Sequence, residues 1–572
     1  MIVMLERLWN ELGGIKNVDS SRVGIALFLV FAGYKYVNAR WERAKLDAIP
    51  TLGHNGIFSS YLTVWRYIFD VRALVDEGAE KYRNAPFKIP TLAGWQVIVN
   101  GEQKYDEMRR APHETLSSMA VFEDLFQMKW TISPRINENP LQDRVIRVPL
   151  TRNIGARFED IRDECIYQFT KLIPPTDGLG ILFCRPRSSA NDCSSVIDWV
   201  EYSDTVDILQ KIVSSVSNRY FVGLPLCRND DWVDLTIKFA LNVILNSVVI
   251  NMFPEIAHPI VGRILTNRHS SLRKAVKLLS PIVEERMEME RQYGPEWPGK
   301  PASCSCLPNI ELWAEFVQND LISWLLDEAA LNGEDWQKGS VEDLAIRILF
   351  INVVSIHTTS VRIRVPATED QLLRCQQSAI SQALYRLAAN PHVADALRKE
   401  INGAVENEGG WSKTAFEKMC FLDSYLKESS RMGMIGAVGM LRKSLKDFTF
   451  SDGTFIPAGT NVALAGYSIH HAKDNYASPH TFQPSRYSDK GDNLKNHMAT
   501  PSWGWLGFGA GKQACPGRFF AVNELKALLA HIILNYDVKF ASDDAKFPEP
   551  ICVAGTFLPN NKGKVLFRKR RI

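Results

Sequence analysis

The segment Phe508-Gly509-Ala510-Gly511-Lys512-Gln513-Ala514-Cys515-Pro516-Gly517 sets a cysteine in a tight glycine-rich loop that runs straight into an apolar helix. Glycines at 509, 511 and 517 let the backbone turn sharply and approach a flat partner closely. The amides that open the next helix, Arg518, Phe519, Phe520 and Ala521, are expected to face the sulfur and favour its thiolate. A structural cysteine in an ordinary turn is the competing reading, and the spacing Phe-x-x-Gly-x-x-x-Cys-x-Gly weighs against it.

Four further segments carry chemistry. Glu428-Ser429-Ser430-Arg431 places a carboxylate and a guanidinium one helical turn apart, where they can pair. The same spacing at Glu80/Arg83 and Glu288/Arg291 reads as exposed helical pairs. Between Glu428 and Cys515 comes Asp474-x-Tyr476-x-x-Pro479-x-x-Phe482-x-Pro484-Ser485-Arg486-Tyr487. An apolar run with helical spacing starts at Leu344 and ends in Val354-Ser355-Ile356-His357-Thr358-Thr359, where threonines bonding back to their own helix are the bland alternative. Arg442 precedes Phe448 to Ile456, an alternating hairpin with a turn at Asp452-Gly453.

Taken together these segments resemble the cytochrome P450 family, and His-Thr-Thr-Ser at 357–360 is similar to its fungal members. The resemblance implies a mainly α fold with small β-sheets plus an N-terminal membrane anchor helix, and haem b bound through Cys515 within a loop that includes Phe508 and Gly511. The thiolate would push electron density towards O2 and favour O–O cleavage. Glu428, Arg431 and Arg486 would form a buried structural triad with no part in the chemistry. Thr358 matches the threonine that relays protons. His357 stands where the family has an acid, and histidine also shuttles protons near neutral pH. Arg442 is implied as a partner of a haem propionate. Two residues before the cysteine, where a cation is common, stands Gln513, a neutral amide that can only donate a hydrogen bond, so Arg442 and Lys512 are left with the charge pairing.

The activity implied is monooxygenation of an apolar small molecule, as in similar fungal enzymes that oxidise terpenoids, steroids and other secondary metabolites. No flavin or nicotinamide fingerprint follows a strand, so electrons from NADPH would arrive from a separate NADPH-cytochrome reductase, across the basic side near Lys512 and Arg518. His357 keeps open an O2-independent isomerase or rearrangement enzyme. A non-catalytic, poorly folded product of an imperfect gene model is the other alternative.

The 572 residues are 46% hydrophobic and 23% charged, ordinary for a globular chain with ample core, and the net charge of +3 argues against a nucleic-acid partner. The basic run Arg568-Lys569-Arg570-Arg571 reads as a solvated tail. Scattered cysteines such as Cys165, Cys227, Cys420 and Cys552 show no disulfide spacing, and Cys304-x-Cys306 lacks a second pair for zinc, which fits a reducing, cytosol-facing domain. The apolar stretch from Val23 to Val37, in an anchor placed at about 20–38, would rise about 22 Å as a helix against roughly 30 Å of hydrocarbon. Lys35, Arg40, Arg43 and Lys45 favour keeping the following residues in the cytosol. Residues 1–48 are therefore expected to anchor the chain in the endoplasmic reticulum membrane, with 49–572 as the catalytic domain. Three segments, 178–197, 302–318 and 361–377, interrupt the resemblance and hold Cys184, Cys193, Cys304, Cys306 and Cys375, half of the ten cysteines. They read as surface insertions or as translated short introns.

Overall fold

In a computed structural model the chain is described over residues 44–572, together with Gly33, Val37 and Arg40. Excepted are 57–58, 84, 92–93, 174–198, 203–204, 254, 267, 294–319, 332–335, 360–362, 365–373, 376–378, 434–435, 489–493, 543–546, 550, 554–555, 559–563 and 571–572. Apart from Gly33 and Val37, the expected anchor at 20–38 thus lies outside the described residues, as do the segments 178–197 and 302–318. Of 361–377, two short strands are described, Ile363–Arg364 and Arg374–Cys375, and they pair with each other.

The longer helices are α1 (Ser60–Tyr82), α2 (Glu102–Arg110), α3 (Ser118–Phe126), α4 (Phe158–Leu172), α5 (Thr205–Phe221), α6 (Asp230–Asn251), α7 (His258–Leu265), α8 (Arg268–Tyr293), α9 (Leu321–Leu331), α10 (Trp336–Thr359), α11 (Ala379–Ala389), α12 (Val393–Asn407), α13 (Cys420–Met432) and α14 (Arg518–Asn535). The strands that place the site are β1 (Phe87–Thr91), β2 (Gly94–Val99), β3 (Leu116–Ser117), β4 (Val200–Tyr202), β5 (Gly439–Ser444), β6 (Asn461–Leu464), β7 (Tyr536–Phe540) and β8 (Val565–Lys569). The result is mainly α with small sheets.

Helix α10 is the axis of the helical part. Leu344, Ala345, Ile346, Ile348, Leu349, Phe350, Ile351 and Val353 are all buried, so every side of it is covered rather than one stripe. Helices α5, α6, α8 and α9 pack around it. Polar bonds fix their register: Asn218 of α5 donates to Asn352 Oδ1 of α10 at 2.8 Å, and Trp232 Nε1 of α6 donates to Asn218 Oδ1 at 2.8 Å. Helix α6 starts at Asp230, where the Asn229 side chain accepts from the Trp232 amide at 3.0 Å and caps it. Among the described residues α6 is also the helix long and apolar enough to cross a membrane, yet Trp232, Phe239 and Val243 sit in the main core.

A five-stranded sheet in the order β1-β2-β6-β5-β3 stands beside the helices. Strands β2 and β6 run parallel and the other neighbours antiparallel. Val97, Val462 and Arg442 come level across it. A second core of Val97, Val99, Leu116, Met440, Val462, Leu464, Leu506 and Ala510 joins this sheet to the cysteine loop. The expected hairpin forms, with Phe448–Thr449 paired to Phe455–Ile456 and Gly453 at φ 85° in its turn.

The basic carboxyl-terminal run is not a solvated tail. Lys569 ends β8, which lies between β7 and β4, and Arg568 donates to Asp537 at 2.9 Å and stacks over Trp199. Arg570 is held by the Asn535 and Leu534 carbonyls at 2.9 and 3.0 Å. The positive charge is matched by an acid on the neighbouring strand, which no local reading of the run reveals.

Candidate active site

The cysteine loop closes on itself. The Cys515 amide donates to the Phe508 carbonyl at 2.9 Å and the Ala514 amide to the Gly511 carbonyl at 3.1 Å, while Gly509 and Gly511 take φ values of 65° and 70°, which side-chain-bearing residues rarely adopt. Gly517 differs from the expectation: at φ −85° it opens α14 with no conformational need for glycine. Phe508 is half-buried and meets Trp505 edge to face, with ring centroids 6.5 Å apart.

Cys515 is exposed as a residue, yet loss of water contact is the largest influence on its thiol and holds it above its ordinary range. Opposing that burial are hydrogen bonds from the Gly517 and Arg518 amides and the charges of Arg518 and Arg147. The amides expected at the sulfur are thus corrected in two respects, one added and one removed. Gly517 contributes one, and the Ala521 amide instead donates to the Gly517 carbonyl at 2.9 Å, within the helix. Arg147 was not foreseen, since it lies far from Cys515 in sequence.

Gln513 is the second correction. Its Oε1 accepts from the Ser118 amide at 2.8 Å and from the Ser118 hydroxyl at 3.0 Å, and its Nε2 donates to the Leu116 carbonyl at 2.7 Å. The amide both accepts and donates, to the protein itself. Lys512 is exposed on the same loop.

Arg442, by contrast, is 3% exposed and donates from Nη1 to the Leu441 carbonyl at 2.9 Å, while its Nε and Nη2 meet no partner among the described residues. Burial lowers its pKa to about 10, so it remains a cation at neutral pH. A buried guanidinium with two free donors suits an anionic carboxylate.

Glu428 and Arg431 on α13 are fully buried and joined by two bonds, Arg431 Nε to Oε2 at 2.7 Å and Nη2 to Oε1 at 2.8 Å. Arg486 Nε donates to Glu428 Oε1 at 2.9 Å. Arg431 also holds the carbonyls of His470 and Pro479 at 2.7 and 2.8 Å, and Arg486 those of Ala477 and Thr481 at 2.7 and 2.9 Å. The three residues thus anchor the irregular chain from 470 to 487. The Glu288/Arg291 pair is an exposed surface contact at 2.6 Å. His357 and Thr358 fall on the last turn of α10, and their side chains lie outside the described residues.

A sulfur favoured by the Gly517 and Arg518 amides and the charges of Arg518 and Arg147, with a guanidinium on the adjoining sheet that has two donors unmatched among the described residues, suits a thiolate-ligated group that carries carboxylates. Comparisons with known proteins decide the family. The chain is 35% identical over 553 residues to cytochrome P450 monooxygenase 151 of Postia placenta, covering 96% of this chain and 99% of that protein. The chain belongs to the cytochrome P450 family. The family's sequence model, Cytochrome P450, matches residues 376–567. A cytochrome P450 monooxygenase of Ganoderma lucidum is 30% identical, covering 93% of both chains. The ent-kaurene oxidase of Gibberella intermedia is 25% identical over 99% of this chain and 97% of its own. This cytochrome P450 is accordingly a monooxygenase and an oxidoreductase, of a family that requires haem on a cysteine thiolate, O2 and supplied electrons. The residues fit that group: Cys515 would offer the sulfur, and Arg442, with two donors unmatched among the described residues, would suit a carboxylate.

Proposed function

We propose that this cytochrome P450 oxidises an apolar secondary metabolite, a terpenoid or steroid-like compound, with haem b held by Cys515, O2, and electrons from NADPH-cytochrome reductase. The observation that carries this reading is Cys515 in a glycine-turned loop closed by its own amide on the Phe508 carbonyl, with Nε and Nη2 of buried Arg442 unmatched among the described residues. Haem, when bound, supplies the activation of O2. The chain's own residues do the rest. Gly517 and Arg518 stabilise the thiolate, Phe508 and Gly511 shape its loop, Arg442 with Lys512 pairs the propionate charge, and Thr358 with His357 moves protons to the reacting side. Glu428, Arg431 and Arg486 hold the surrounding chain.

The name of the Gibberella relative, an ent-kaurene oxidase, supports a terpenoid substrate. Exposed Lys512 and Arg147 support a basic docking face for the reductase. On α1, Tyr61, Leu62, Trp65 and Phe69 are all more than half exposed along one helical face, with Trp65 and Phe69 stacked at 5.0 Å, which supports a domain lying against the endoplasmic reticulum membrane. Co-expression with a fungal reductase, followed by feeding a panel of terpenoids and steroids, tests the reading. NADPH-dependent formation of a product heavier by one oxygen is expected. No turnover of any terpenoid or steroid by haem-loaded enzyme would overturn the substrate class.

A further inference from the structure

Gln513 joins parts of the molecule that the chain leaves almost 400 residues apart. Ser118 is the first residue of α3, so its amide has no partner within the helix. The helix has a local cap, since Ser117 Oγ accepts from the Ala120 amide at 3.1 Å, but that leaves the Ser118 amide, which Gln513 Oε1 takes instead. The Gln513 side chain is thus a second cap on α3, supplied from the cysteine loop. Its other end holds the Leu116 carbonyl in β3. Leu116 is level with Ser444 on β5, two residues from Arg442. One half-buried amide therefore connects the loop of Cys515, two residues away, to the strand that carries the unpaired guanidinium.

The Ser118 amide and hydroxyl both point donors at position 513, and the start of a helix carries partial positive charge. A cation at 513 would face these donors with donors of its own. A neutral side chain with a lone-pair oxygen and an N–H satisfies both ends, and glutamine has both at this length.

We infer that Gln513 is a positioning residue: it sets the register of the cysteine loop against the Arg442 strand by capping α3, and leaves compensation of haem carboxylate charge to Arg442 and Lys512. This rests on the reading that Cys515 holds haem. It contradicts the simple expectation that a cation at 513 would strengthen haem binding through charge.

The test uses the full chain loaded with haem, and follows transfer of haem to an excess of an acceptor protein, together with decay of the thiolate-type spectrum of the reduced CO complex. Gln513→Met keeps the volume and removes the three hydrogen bonds. It should speed both processes about tenfold. Gln513→Glu keeps the acceptor facing Ser118 and should lie between Gln and Met. Gln513→Arg should be as fast as Met or faster. The order Gln, Glu, Met, Arg from slowest to fastest supports positioning, whereas Arg slower than Gln, with Glu fastest, would show that charge at 513 governs haem retention and would overturn the inference. Ser412→Ala, which removes the side-chain cap of the distant helix Lys413–Lys418, serves as a destabilised control. Equal haem loss in Ser412→Ala and Gln513→Met would also overturn it. A wild-type protein with haem but no thiolate-type spectrum would instead refute the Cys515 reading.

Discussion

The carbonyl oxygen of Arg109, at the end of α2, lies 2.0 Å from where a side-chain carbon on Gly511 would stand. The cysteine loop is pressed directly onto another backbone there, at a position whose φ of 70° already disfavours every residue with a Cβ. Gly511→Ala is expected to lose about 1–2 kcal/mol from backbone strain alone. The forced retreat from Arg109 adds to that. Thermal unfolding with the ratio of haem to protein absorbance checks it; wild-type values for both would mean that the loop yields easily.

Cys515→Ser replaces a thiolate donor by a hydroxyl that stays protonated near neutral pH. The thiolate-type spectrum of the reduced CO complex should disappear, and with it all monooxygenation. Persistence of that spectrum would place the iron on another residue.

Glu428→Gln leaves the two guanidinium groups of Arg431 and Arg486 buried against a neutral amide. Removal of one partner from a buried ion pair costs about 3–5 kcal/mol. The variant should therefore unfold well below the wild type or accumulate poorly. A calorimetric scan showing an unchanged transition would contradict the role given to the pair.

Glu524 on α14 is buried, receives the Ser217 hydroxyl at 2.6 Å, and has no cationic partner among the described residues. Cys165 of α4 and Tyr220 of α5 lie close enough to feel its charge. Burial raises its pKa to about 8, opposed by the Ser217 bond. The folded protein therefore keeps a proton that the unfolded chain releases above its ordinary carboxyl pKa. Stability contributed by this proton is complete at acidic pH and declines as pH rises towards 8, by about 1.4 kcal/mol per pH unit. Glu524→Gln should flatten that decline, so that the variant gains on the wild type in melting temperature between pH 5.5 and pH 8. Parallel pH profiles would show that the carboxyl is ionised in the fold.

The segment 361–377 separates α10 from α11. Without it, Ile380, Leu384 and Leu387 would follow Ile356 at 7, 11 and 14 positions, along one helical face. All three are buried in the main core, and the family's match begins at residue 376. We propose that the segment is inserted sequence, consistent with a translated intron. A variant lacking 361–377 is expected to carry more haem per protein and to melt at a higher temperature. Equal or lower values would identify an accommodated insertion, and a transcript encoding all three extra segments would dismiss the intron origin.

What could be read in advance was what short-range chemistry encodes. The cysteine loop, the Glu428–Arg431 pair one turn apart and the hairpin at Asp452-Gly453 follow from local turn preferences and periodicity. The Gln513 bonds to Leu116 and Ser118 join residues too distant for any local pattern to reveal. The need for glycine at 511 comes from Arg109 as well as from its own turn. Arg568 was read as solvated because the acid that pairs it, Asp537, is brought alongside only by strand pairing. The neutral Gln513 stood out as an oddity, and its meaning became visible only with α3 in place.

Arg431 and Arg486 hold the stretch from 470 to 487 by its carbonyl oxygens. Ala477, Ser478 and Thr481 are exposed, and Arg486 reaches each through its main chain. Their side chains contribute nothing to those bonds. The shape of this irregular stretch is therefore insulated from drift at Ala477 and Thr481, whereas Ser478, at φ 48°, holds a backbone that few side chains accept; at the first two, sequence change can accumulate on the surface while the burden of keeping the shape stays with three long charged side chains.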